Sequence, residues 1–410
     1  MKIGVVREGK VPPDKRVPFT PQQCAALQLL YPGLQVVVQP SPIRCYFDEE
    51  YTAKGIVLQE DLNDCDVLMG IKEVPIGQLI PGKKYLFFSH TIKKQPYNQQ
   101  LMRALLDKHI SMIDYECLTD AHNKRVIGFG RYAGIVGTYN GLLAFGKRTK
   151  RFELTPAHAC VDKVAMYGEL KKCKLEGLRI ITTGGGRVAQ GVVEVLKAAE
   201  IKEVDPIQFM NVDKSKVDQS PIFAQLHSHH YFIPNRGEAD DHRGDWDAAH
   251  FYAHPYAYTP DFVKYLKNAT MLISAHFWDR RSKPYFEKQD VKACLNELEV
   301  IADITCDVNG SLPTTLRAST IAAPLYGYHR ELGTEVAPFD SDALTVMAVD
   351  NLPCELPRDA SQDFGMDLIK FVMPQLLGKD EDNRIARATI CQSGELTTAF
   401  HYLADYANNS

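Results

Sequence analysis

Residues 178–191 read LRIITTGGGRVAQG and predict a strand, a glycine turn and a helix in immediate succession. The spacing is G-x-G-x-x-A, with Ala189 as the third small residue. Such a turn lets the backbone approach a pyrophosphate, and the N–H groups that open the helix face the phosphates. The stretch therefore predicts a dinucleotide site. We assign its cofactor contacts to Gly184, Gly186, Arg187 and Val188.

An acidic residue about twenty positions after such a loop commonly binds the ribose hydroxyls of NAD. Asp205, in IKEVDP, is the candidate here, and its charge favours NAD because it would repel a 2′-phosphate. The alternative is that Asp205 only starts a turn before Pro206, and neighbouring Lys202 leaves NADP possible. Ser274 is assigned to the nicotinamide side, while Asp303 either faces the ribose or caps a strand.

The chain of 410 residues exceeds the size at which one hydrophobic core keeps growing, so two domains are expected. Short apolar runs alternate with helical patterns in the first third and again after residue 178, which predicts an α/β fold with two parallel sheets. Strands of the second sheet are expected at YFIP, TMLISAHFW and EVIADITC. Small residues in GIVGTYNGLLAFGKR predict a closely packed helix, and the segments after Asp350 are predicted to be helical.

Composition and charge exclude several partners. The formal net charge of -4 is spread without a basic block, which argues against nucleic acid. No apolar run approaches the length of a membrane span, and MKIGVVREGK lacks the features of a signal peptide. We therefore expect a cytoplasmic protein that binds small molecules.

Two charged residues follow neighbouring strand candidates of the first third. Lys72 ends the apolar run in VLMGIKEVP, and His90 ends the run in YLFFSHTIKK. A lysine at a strand end usually only reaches solvent. However, the carboxyl ends of parallel strands are where ligands bind in such sheets, and two titratable residues there together predict a site.

The surrounding motifs carry a family resemblance. They are, each with its polar residue, RVPFTP (Arg16), GIKEVP (Lys72), YLFFSHTIKKQPYN (His90 and Lys93), MIDYE (Glu116) and RVIGFGRYAG (Arg125). In these motifs the chain resembles lysine-forming saccharopine dehydrogenases and, more closely, the lysine–2-oxoglutarate reductase part of bifunctional lysine-degrading enzymes. The resemblance covers nearly the whole chain. It extends more distantly to alanine dehydrogenase and pyridine nucleotide transhydrogenase, which share the arginine and lysine motifs but lack SHTIK.

The resemblance implies two Rossmann-like domains with the active site in the cleft between them. The first, substrate-side domain would comprise residues 1–135 and 340–410, and the NAD(P)-binding domain residues 136–339. The implied roles are an acid–base pair, Lys72 and His90, and a carboxylate near the amine, Glu116. Asp350, in VDNLP, is implied to line the cleft.

The implied activity is the interconversion of saccharopine with L-lysine and 2-oxoglutarate, using NAD or NADP. Saccharopine carries three carboxylates, so its site should present several cations. The resemblance assigns this role to Arg16, Lys93 and Arg125. An alanine dehydrogenase-like enzyme and a nucleotide-binding homologue without catalysis are the alternatives.

A histidine-rich segment lies within the second half of the chain. It contains His227, His229, His230, His242, His250 and His254. Their spacings match no zinc pattern, and no cysteine accompanies them. We therefore predict exposed loop histidines and no bound metal.

Overall fold

The computed structural model describes residues 1–213, 220–235 and 246–408. The chain divides into two compact units. The first contains Met1–Phe129 and Pro357–Ser410, and the second contains Gly130–Leu356.

The strands in chain order are β1 (Lys2–Val5), β2 (Gln35–Val38), β3 (Val57–Leu58), β4 (Val67–Met69), β5 (Lys84–Phe87), β6 (Ser111–Asp114), β7 (Arg179–Thr183), β8 (Lys202–Glu203), β9 (Ile222–Leu226), β10 (Phe232–Pro234), β11 (Tyr258–Pro260), β12 (Met271–Ser274), β13 (Val300–Asp303), β14 (Leu325–His329), β15 (Glu335–Val336), β16 (Ala343–Met347), β17 (Thr389–Gln392) and β18 (Glu395–Leu396).

The described α-helices are α1 (Pro21–Leu30), α2 (Asp48–Thr52), α3 (Gln99–Asp107), α4 (Gly130–Thr149), α5 (Lys163–Glu169), α6 (Arg187–Ala198), α7 (Pro206–Met210), α8 (Ser228–Tyr231), α9 (Ala248–Ala253), α10 (Val263–Leu266), α11 (Lys288–Cys294), α12 (Pro357–Asp367), α13 (Met373–Leu377), α14 (Arg384–Ala388) and α15 (Ala404–Asn408). A π-helical turn, Leu368–Val372, joins α12 to α13. No helix of the described ranges combines the length and apolarity that a membrane span needs.

The first unit is built around an eight-stranded sheet of order β18-β17-β6-β5-β4-β1-β2-β3. Strands β1 to β6 are parallel, whereas β17 pairs antiparallel with β6 at one edge. The strands KIGV, VLM and KYLF are nearly continuous apolar runs because helices cover both faces of the sheet. Separate apolar clusters fill the two faces, one around Phe19 and Phe364 and the other around Tyr85 and Leu105.

The second unit contains an eight-stranded sheet of order β15-β14-β16-β13-β12-β7-β9-β8. Six of these strands are parallel, and β14 and β15 add an antiparallel edge. These two mostly parallel sheets confirm the predicted α/β class. The YFIP segment was wrongly predicted to join the second sheet, because β10 instead pairs with β11 in a separate two-stranded hairpin. Strand β9, next to β7, was not predicted.

Glycines bring α4 and α6 into direct contact within the second unit. A Cβ atom on Gly134 would lie 1.9 Å from the carbonyl oxygen of Val188, and one on Gly191 would lie 2.0 Å from that of Arg131. Only glycine tolerates this backbone approach. The small residues of GIVGTYNGLLAFGKR therefore form the close packing that was predicted for them.

The boundaries between the units differ from the predicted ones. Helix α4 begins at Gly130 and belongs wholly to the second unit, which moves the first boundary from 135 to 129. The second boundary moves from 339 to 356 because β16, a strand after residue 339, pairs with β13 in the second sheet. The helical prediction for the C-terminal segment also missed β17 and β18, which extend the first sheet.

Candidate active site

Titratable side chains collect at the carboxyl edge of the first sheet. Glu8 follows β1, Lys72 and Glu73 follow β4, His90 follows β5, and Glu116 follows β6. These four strands are neighbours and run parallel, so their carboxyl ends lie side by side. Ligands bind at this edge in open parallel sheets.

Lys72 is held by a carboxyl group from the neighbouring strand. Glu8 accepts hydrogen bonds from the backbone N–H groups of Ile71, at 2.6 Å, and Lys72, at 2.9 Å. Burial raises the pKa of Glu8 to about 8, and the charge of Asp14 adds to this rise. Burial likewise lowers the pKa of Lys72, and the charge of Arg16 lowers it further. This environment moves the Lys72 ammonium towards the range needed for proton transfer near neutral pH.

His90 forms a short chain of polar contacts with Glu73. Its Nδ1 lies 2.7 Å from Glu73 Oε1, while Lys10 Nζ donates to Glu73 Oε2 at 2.9 Å. Burial alone would raise the pKa of Glu73, but His90 and Lys10 together bring it down to about 2. The ring also stacks on Phe88, with centroids 6.2 Å apart. The carboxylate therefore orients the imidazole through Nδ1, and Nε2 is the other ring nitrogen.

Glu116 forms ion pairs with the two exposed cations of the site. Its Oε1 lies 3.0 Å from an Arg125 nitrogen and 3.4 Å from Lys93 Nζ. Burial would raise the pKa of Glu116, but these two cations lower it overall. The Oε2 atom is buried and receives no hydrogen bond within the part of the chain that the structure describes. It is available for a donor from outside the protein.

Arg16 differs from the other two cations because it is buried. Its Nε and one terminal nitrogen donate to Asp14 at 3.0 and 2.6 Å, and both side chains are at most 3% exposed. The guanidinium also lies over the Phe129 ring, 4.1 Å from its centroid. Arg16 is thus held by Asp14 and lowers the pKa of Lys72 through its charge, and its predicted contact with a substrate carboxylate stays a prediction.

The six predicted residues of the first unit, Arg16, Lys72, His90, Lys93, Glu116 and Arg125, all lie at this edge or bond to residues there. Four further charged residues of the edge were not predicted: Glu8, Lys10, Asp14 and Glu73. Asp14 and Glu73 stand within two residues of the predicted Arg16 and Lys72, whereas Glu8 and Lys10 follow the end of β1 by three and five positions. Their pairing across strands is invisible in the sequence.

The glycine loop of the second unit has the form that was predicted. Gly184 adopts a φ of +92°, and a Cβ atom there would lie 2.5 Å from the carbonyl oxygen of Ala275. Gly186 is the N-cap of α6, no side chain caps the helix, and a Cβ atom at Gly186 would meet nothing within 4 Å. Arg187 and Val188 form the first turn. An open backbone before uncapped N–H groups fits a pyrophosphate.

His276 is hydrogen-bonded to Thr183, the residue that precedes the glycine loop. Its Nδ1 is bonded to the Thr183 hydroxyl at 2.7 Å and its Nε2 to the Ser311 hydroxyl at 2.8 Å. Burial lowers the pKa of His276 to about 3, so the ring is neutral. His276 was not predicted, because nothing in SAHFW distinguishes it from a packed core histidine.

Asp205 does not follow the strand next to the glycine strand. It caps α7, where its Oδ1 accepts from the N–H of Ile207 at 2.8 Å, after the edge strand β8. The two neighbours of β7 are β12 and β9, and β9 ends at Leu226. The turn before Pro206, which was the alternative for Asp205, is therefore present, and its ribose role stays a prediction.

Ser274 and Asp303 are buried and bonded to each other. The Ser274 hydroxyl donates to Asp303 Oδ1, the hydroxyl of Thr315 donates to Oδ2 at 2.5 Å, and both predicted residues are at most 1% exposed. This geometry fits the alternative that Asp303 caps a strand. The contacts of Ser274 and Asp303 with a cofactor remain predictions. Asp350 is exposed and belongs to the second unit, whereas its predicted domain was the first.

In the described part of the histidine-rich segment, His227, His229 and His230 form one group after β9, and His250 and His254 form another. Among residues 1–213, 220–235 and 246–408, no group of three or more His, Cys, Asp or Glu side chains is arranged to hold a metal ion. His242 lies outside the described residues.

Comparisons with known proteins show what the chain is similar to. Residues 4–136 match the family model "Alanine dehydrogenase/PNT, N-terminal domain". An alpha-aminoadipic semialdehyde synthase of Arabidopsis thaliana is 28% identical over 98% of this chain, and a lysine-forming NAD(+) saccharopine dehydrogenase of Neurospora crassa is 23% identical over 87% of it. The match covers 41% of the synthase and 86% of the dehydrogenase, so the chain spans less than half of the synthase's length.

Solved structures agree on the fold. An L-alanine dehydrogenase superposes on 99% of the chain with a TM-score of 0.67 and 14% identity. A transhydrogenase from Sinorhizobium meliloti covers 97% with a TM-score of 0.60 and 11% identity. The chain thus resembles lysine-forming saccharopine dehydrogenases and alpha-aminoadipic semialdehyde synthases along most of its length, and residues 4–136 match the alanine dehydrogenase/PNT family model, as the motifs predicted.

Proposed function

We propose that this chain is an NAD(P)-dependent oxidoreductase that interconverts saccharopine with L-lysine and 2-oxoglutarate. The observation that carries the proposal is the pair of Lys72 and His90 at adjacent strand ends, where Glu8 binds the Lys72 backbone and Glu73 contacts the His90 ring. The names of the relatives support the substrate, and the open glycine loop supports the cofactor. A dinucleotide held at this loop, with its pyrophosphate at Gly184, Gly186 and the N-terminus of α6, would supply the hydride acceptor or donor.

In the direction of saccharopine formation, the lysine ε-amine adds to the keto carbon of 2-oxoglutarate, water leaves, and the resulting imine is reduced. The amine must lose a proton before it attacks, and the departing hydroxyl must gain one. Lys72 and His90 carry these protons. The environment of each group supports this role, since burial and Arg16 lower the pKa of Lys72 and Glu73 orients His90.

Glu116 supplies a place for the reacting amine. Its buried Oε2, which has no donor among the described residues, accepts a hydrogen bond from the secondary amine of saccharopine. Arg125 and Lys93 lie beside it with half-exposed side chains and bind substrate carboxylates. Two cations and one carboxylate leave a net charge of about +1 for an anionic substrate.

Two assays test the proposal against an alanine dehydrogenase-like activity. Oxidation of NADH or NADPH is followed with 2-oxoglutarate plus lysine, and separately with pyruvate plus ammonia. We expect turnover with the first pair and saccharopine as the product by mass spectrometry. Turnover with pyruvate and ammonia alone contradicts the substrate. A chain that binds a dinucleotide but turns over neither pair is a binding homologue.

A further inference from the structure

The loop between β5 and α3 carries two residues of the candidate site on strained backbone. This loop, residues 88–98, contains His90 and Lys93 and is called the site loop below. His90 has a φ of +53° and Lys94 a φ of +52°. Residues with a Cβ atom are strained in this left-handed region, and such strain persists only where the surrounding structure holds the chain. The contacts that hold the site loop therefore decide where its side chains lie.

The first half of the site loop is bonded to neighbouring strand ends of the sheet. The N–H and the hydroxyl of Ser89 both donate to the carboxylate of Asp114, at the end of β6. The Ser89 hydroxyl also lies 2.7 Å from the hydroxyl of Thr91. The His90 ring, between these two residues, is oriented by Glu73. These contacts fix the site loop as far as Thr91.

The second half of the site loop is bonded to a segment some 300 positions away in sequence, residues 398–408, which we call the brace. The Tyr406 hydroxyl donates to the carbonyl of Gln95 at 2.5 Å. The Tyr402 hydroxyl donates to the carbonyl of Ile92 at 3.4 Å. Two tyrosine hydroxyls of the brace thus bind two backbone carbonyls of the site loop.

Lys93 lies between these two carbonyls in the sequence. Its Nζ is 3.4 Å from Glu116 Oε1. The next residue, Lys94, places its ammonium over the Tyr402 ring, 5.3 Å from the ring centroid, which is within the range of a cation–π contact. The brace therefore fixes the backbone on both sides of Lys93, from which this cation reaches Glu116.

The brace is itself attached to α3, the helix that follows the site loop. Tyr406 and Ala407 are buried in the same apolar cluster as Leu101 of α3. The Gln99 side-chain amide donates to the carbonyl of Tyr406 at 2.9 Å, and Arg103 Nε donates to that of Ala407 at 3.1 Å. Because the Tyr406 ring is buried and its backbone is bonded to α3, its hydroxyl has little freedom to move.

We propose that Tyr406 is a positioning residue for Lys93, which it keeps beside Glu116 and ready to bind a substrate carboxylate. The inference rests on the proposed function, in which Lys93 binds a carboxylate of saccharopine. In this role Tyr406 acts through Lys93 and not on the substrate itself. Loss of its hydroxyl should weaken substrate binding and leave proton transfer by His90 intact, because Glu73 and not the brace orients His90.

Steady-state oxidation of saccharopine tests the proposal with Tyr406→Phe, which removes only the hydroxyl. One hydrogen bond of this kind corresponds to about three- to tenfold in affinity, so we expect KM for saccharopine to rise by this factor. The value of kcat and KM for the dinucleotide should stay within about twofold of the native values. The matched control is Tyr46→Phe, because the Tyr46 hydroxyl also donates to a backbone carbonyl of the same unit, that of Arg358, at 3.2 Å.

A double variant separates positioning from a merely structural role. If Tyr406 acts through Lys93, then Tyr406→Phe should add little to KM for saccharopine in a Lys93→Met background, so the two effects are not additive. Full additivity, or an unchanged KM in the single variant Tyr406→Phe, overturns the proposal. A fall of kcat by the same factor as the rise of KM, together with a lower Tm, indicates a folding defect and overturns it as well.

Amide hydrogen exchange supplies a measurement that needs no turnover. The amides of residues 92–98 should exchange faster in Tyr406→Phe than in the native chain or in Tyr46→Phe, whereas the amides of β1 and β4 should exchange as in the native chain. Absence of saccharopine oxidation by the native chain contradicts the proposed function, and the exchange rates then test the brace by themselves. Unchanged exchange of residues 92–98 in Tyr406→Phe overturns the role of the brace.

Discussion

The carboxyl edge of the first sheet and the glycine loop of the second unit are built by opposite means. At the first, ten charged or titratable side chains of the described residues, from Glu8 to Arg125, lie close to the ends of four strands, and most of them form ion pairs or hydrogen bonds. In the glycine loop, the groups available to a ligand belong to the backbone. Gly184 turns the chain, and Gly186 leaves the N–H groups at the start of α6 open. Chemistry that moves protons requires titrating side chains, whereas a pyrophosphate is bound by backbone donors.

This contrast explains why the two regions differ in how readily they are recognised. A loop that works through its backbone needs glycine at fixed positions, so its motif is visible in the sequence. A site that works through paired side chains depends on which residues meet across strands. Substitutions in the two regions should therefore impair different properties, turnover at the first and nucleotide affinity at the second.

The largest effect is expected at Lys72 and His90. Lys72→Met and His90→Gln keep most of the side-chain volume but remove a titrating group, and lost acid–base catalysis costs about 10²–10⁴-fold in turnover. Nucleotide affinity should stay within about twofold, because the glycine loop is untouched. Steady-state kinetics and nucleotide titration measure both quantities. The control is Lys54→Met, an exposed lysine of the same unit, and native turnover in Lys72→Met and His90→Gln would refute the acid–base pair.

The glycine loop should show the reverse pattern. Gly186→Val has open space on the protein side, so the fold should persist while the branched side chain blocks the pyrophosphate and nucleotide affinity drops by about a hundredfold, or 2.7 kcal/mol. In Gly184→Val the new side chain would clash with the Ala275 carbonyl, and valine would be strained at a φ of +92°. This substitution should therefore lower the stability of the second unit instead. Thermal unfolding and nucleotide titration separate the two. Equal nucleotide affinity in Gly186→Val and the native chain would remove the loop as the cofactor site.

Two arginines sharpen the comparison within the first unit. Arg125→Ala removes an exposed cation next to Glu116 and should weaken substrate binding by about ten- to a hundredfold, the range for one charge-assisted hydrogen bond. Arg16→Ala deprives the buried Asp14 carboxylate of its guanidinium and should destabilise the unit by about 3–5 kcal/mol. Urea unfolding and Michaelis constants report the two effects. Equal destabilisation by both variants would contradict this division of roles.

The smallest effect concerns stability against pH. Burial raises the pKa of Glu8 to about 8, compared with about 4.3 in an unfolded chain. The folded state thus holds a proton that the unfolded chain releases between these values. The contribution of the neutral carboxyl is full below about pH 4 and is lost as the pH rises through about 8.

The contribution of Glu73 to stability depends on pH in the opposite direction, because His90 and Lys10 lower the pKa of this carboxyl to about 2. Its contribution is present above about pH 4 and is lost as the pH falls through about 2. Glu8→Gln should therefore flatten the alkaline side of the stability profile, and Glu73→Gln the acidic side. Hydrogen exchange of β1 and β4 across this range, corrected for intrinsic rates, measures both. Identical profiles for the two variants would contradict these opposite signs.

The sequence by itself determined the α/β class, the glycine loop and the family resemblance. The alternation of apolar runs and the backbone demands of Gly184 and Gly186 are local, and local constraints are written in consecutive residues. The motifs around Lys72, His90 and Glu116 were likewise sufficient to place these residues at strand ends.

Only the tertiary structure decided which strand lies next to β7 and which side chains pair. Asp205 was the predicted ribose contact because it lies about twenty positions after the glycine loop, but β9 pairs with β7 and brings His227 to that loop. Glu8 reaches the backbone of Lys72 from 64 positions away, and Glu73 reaches His90 from a different strand. Strand order and cross-strand contacts arise from packing between distant segments, and no local pattern of residues encodes them.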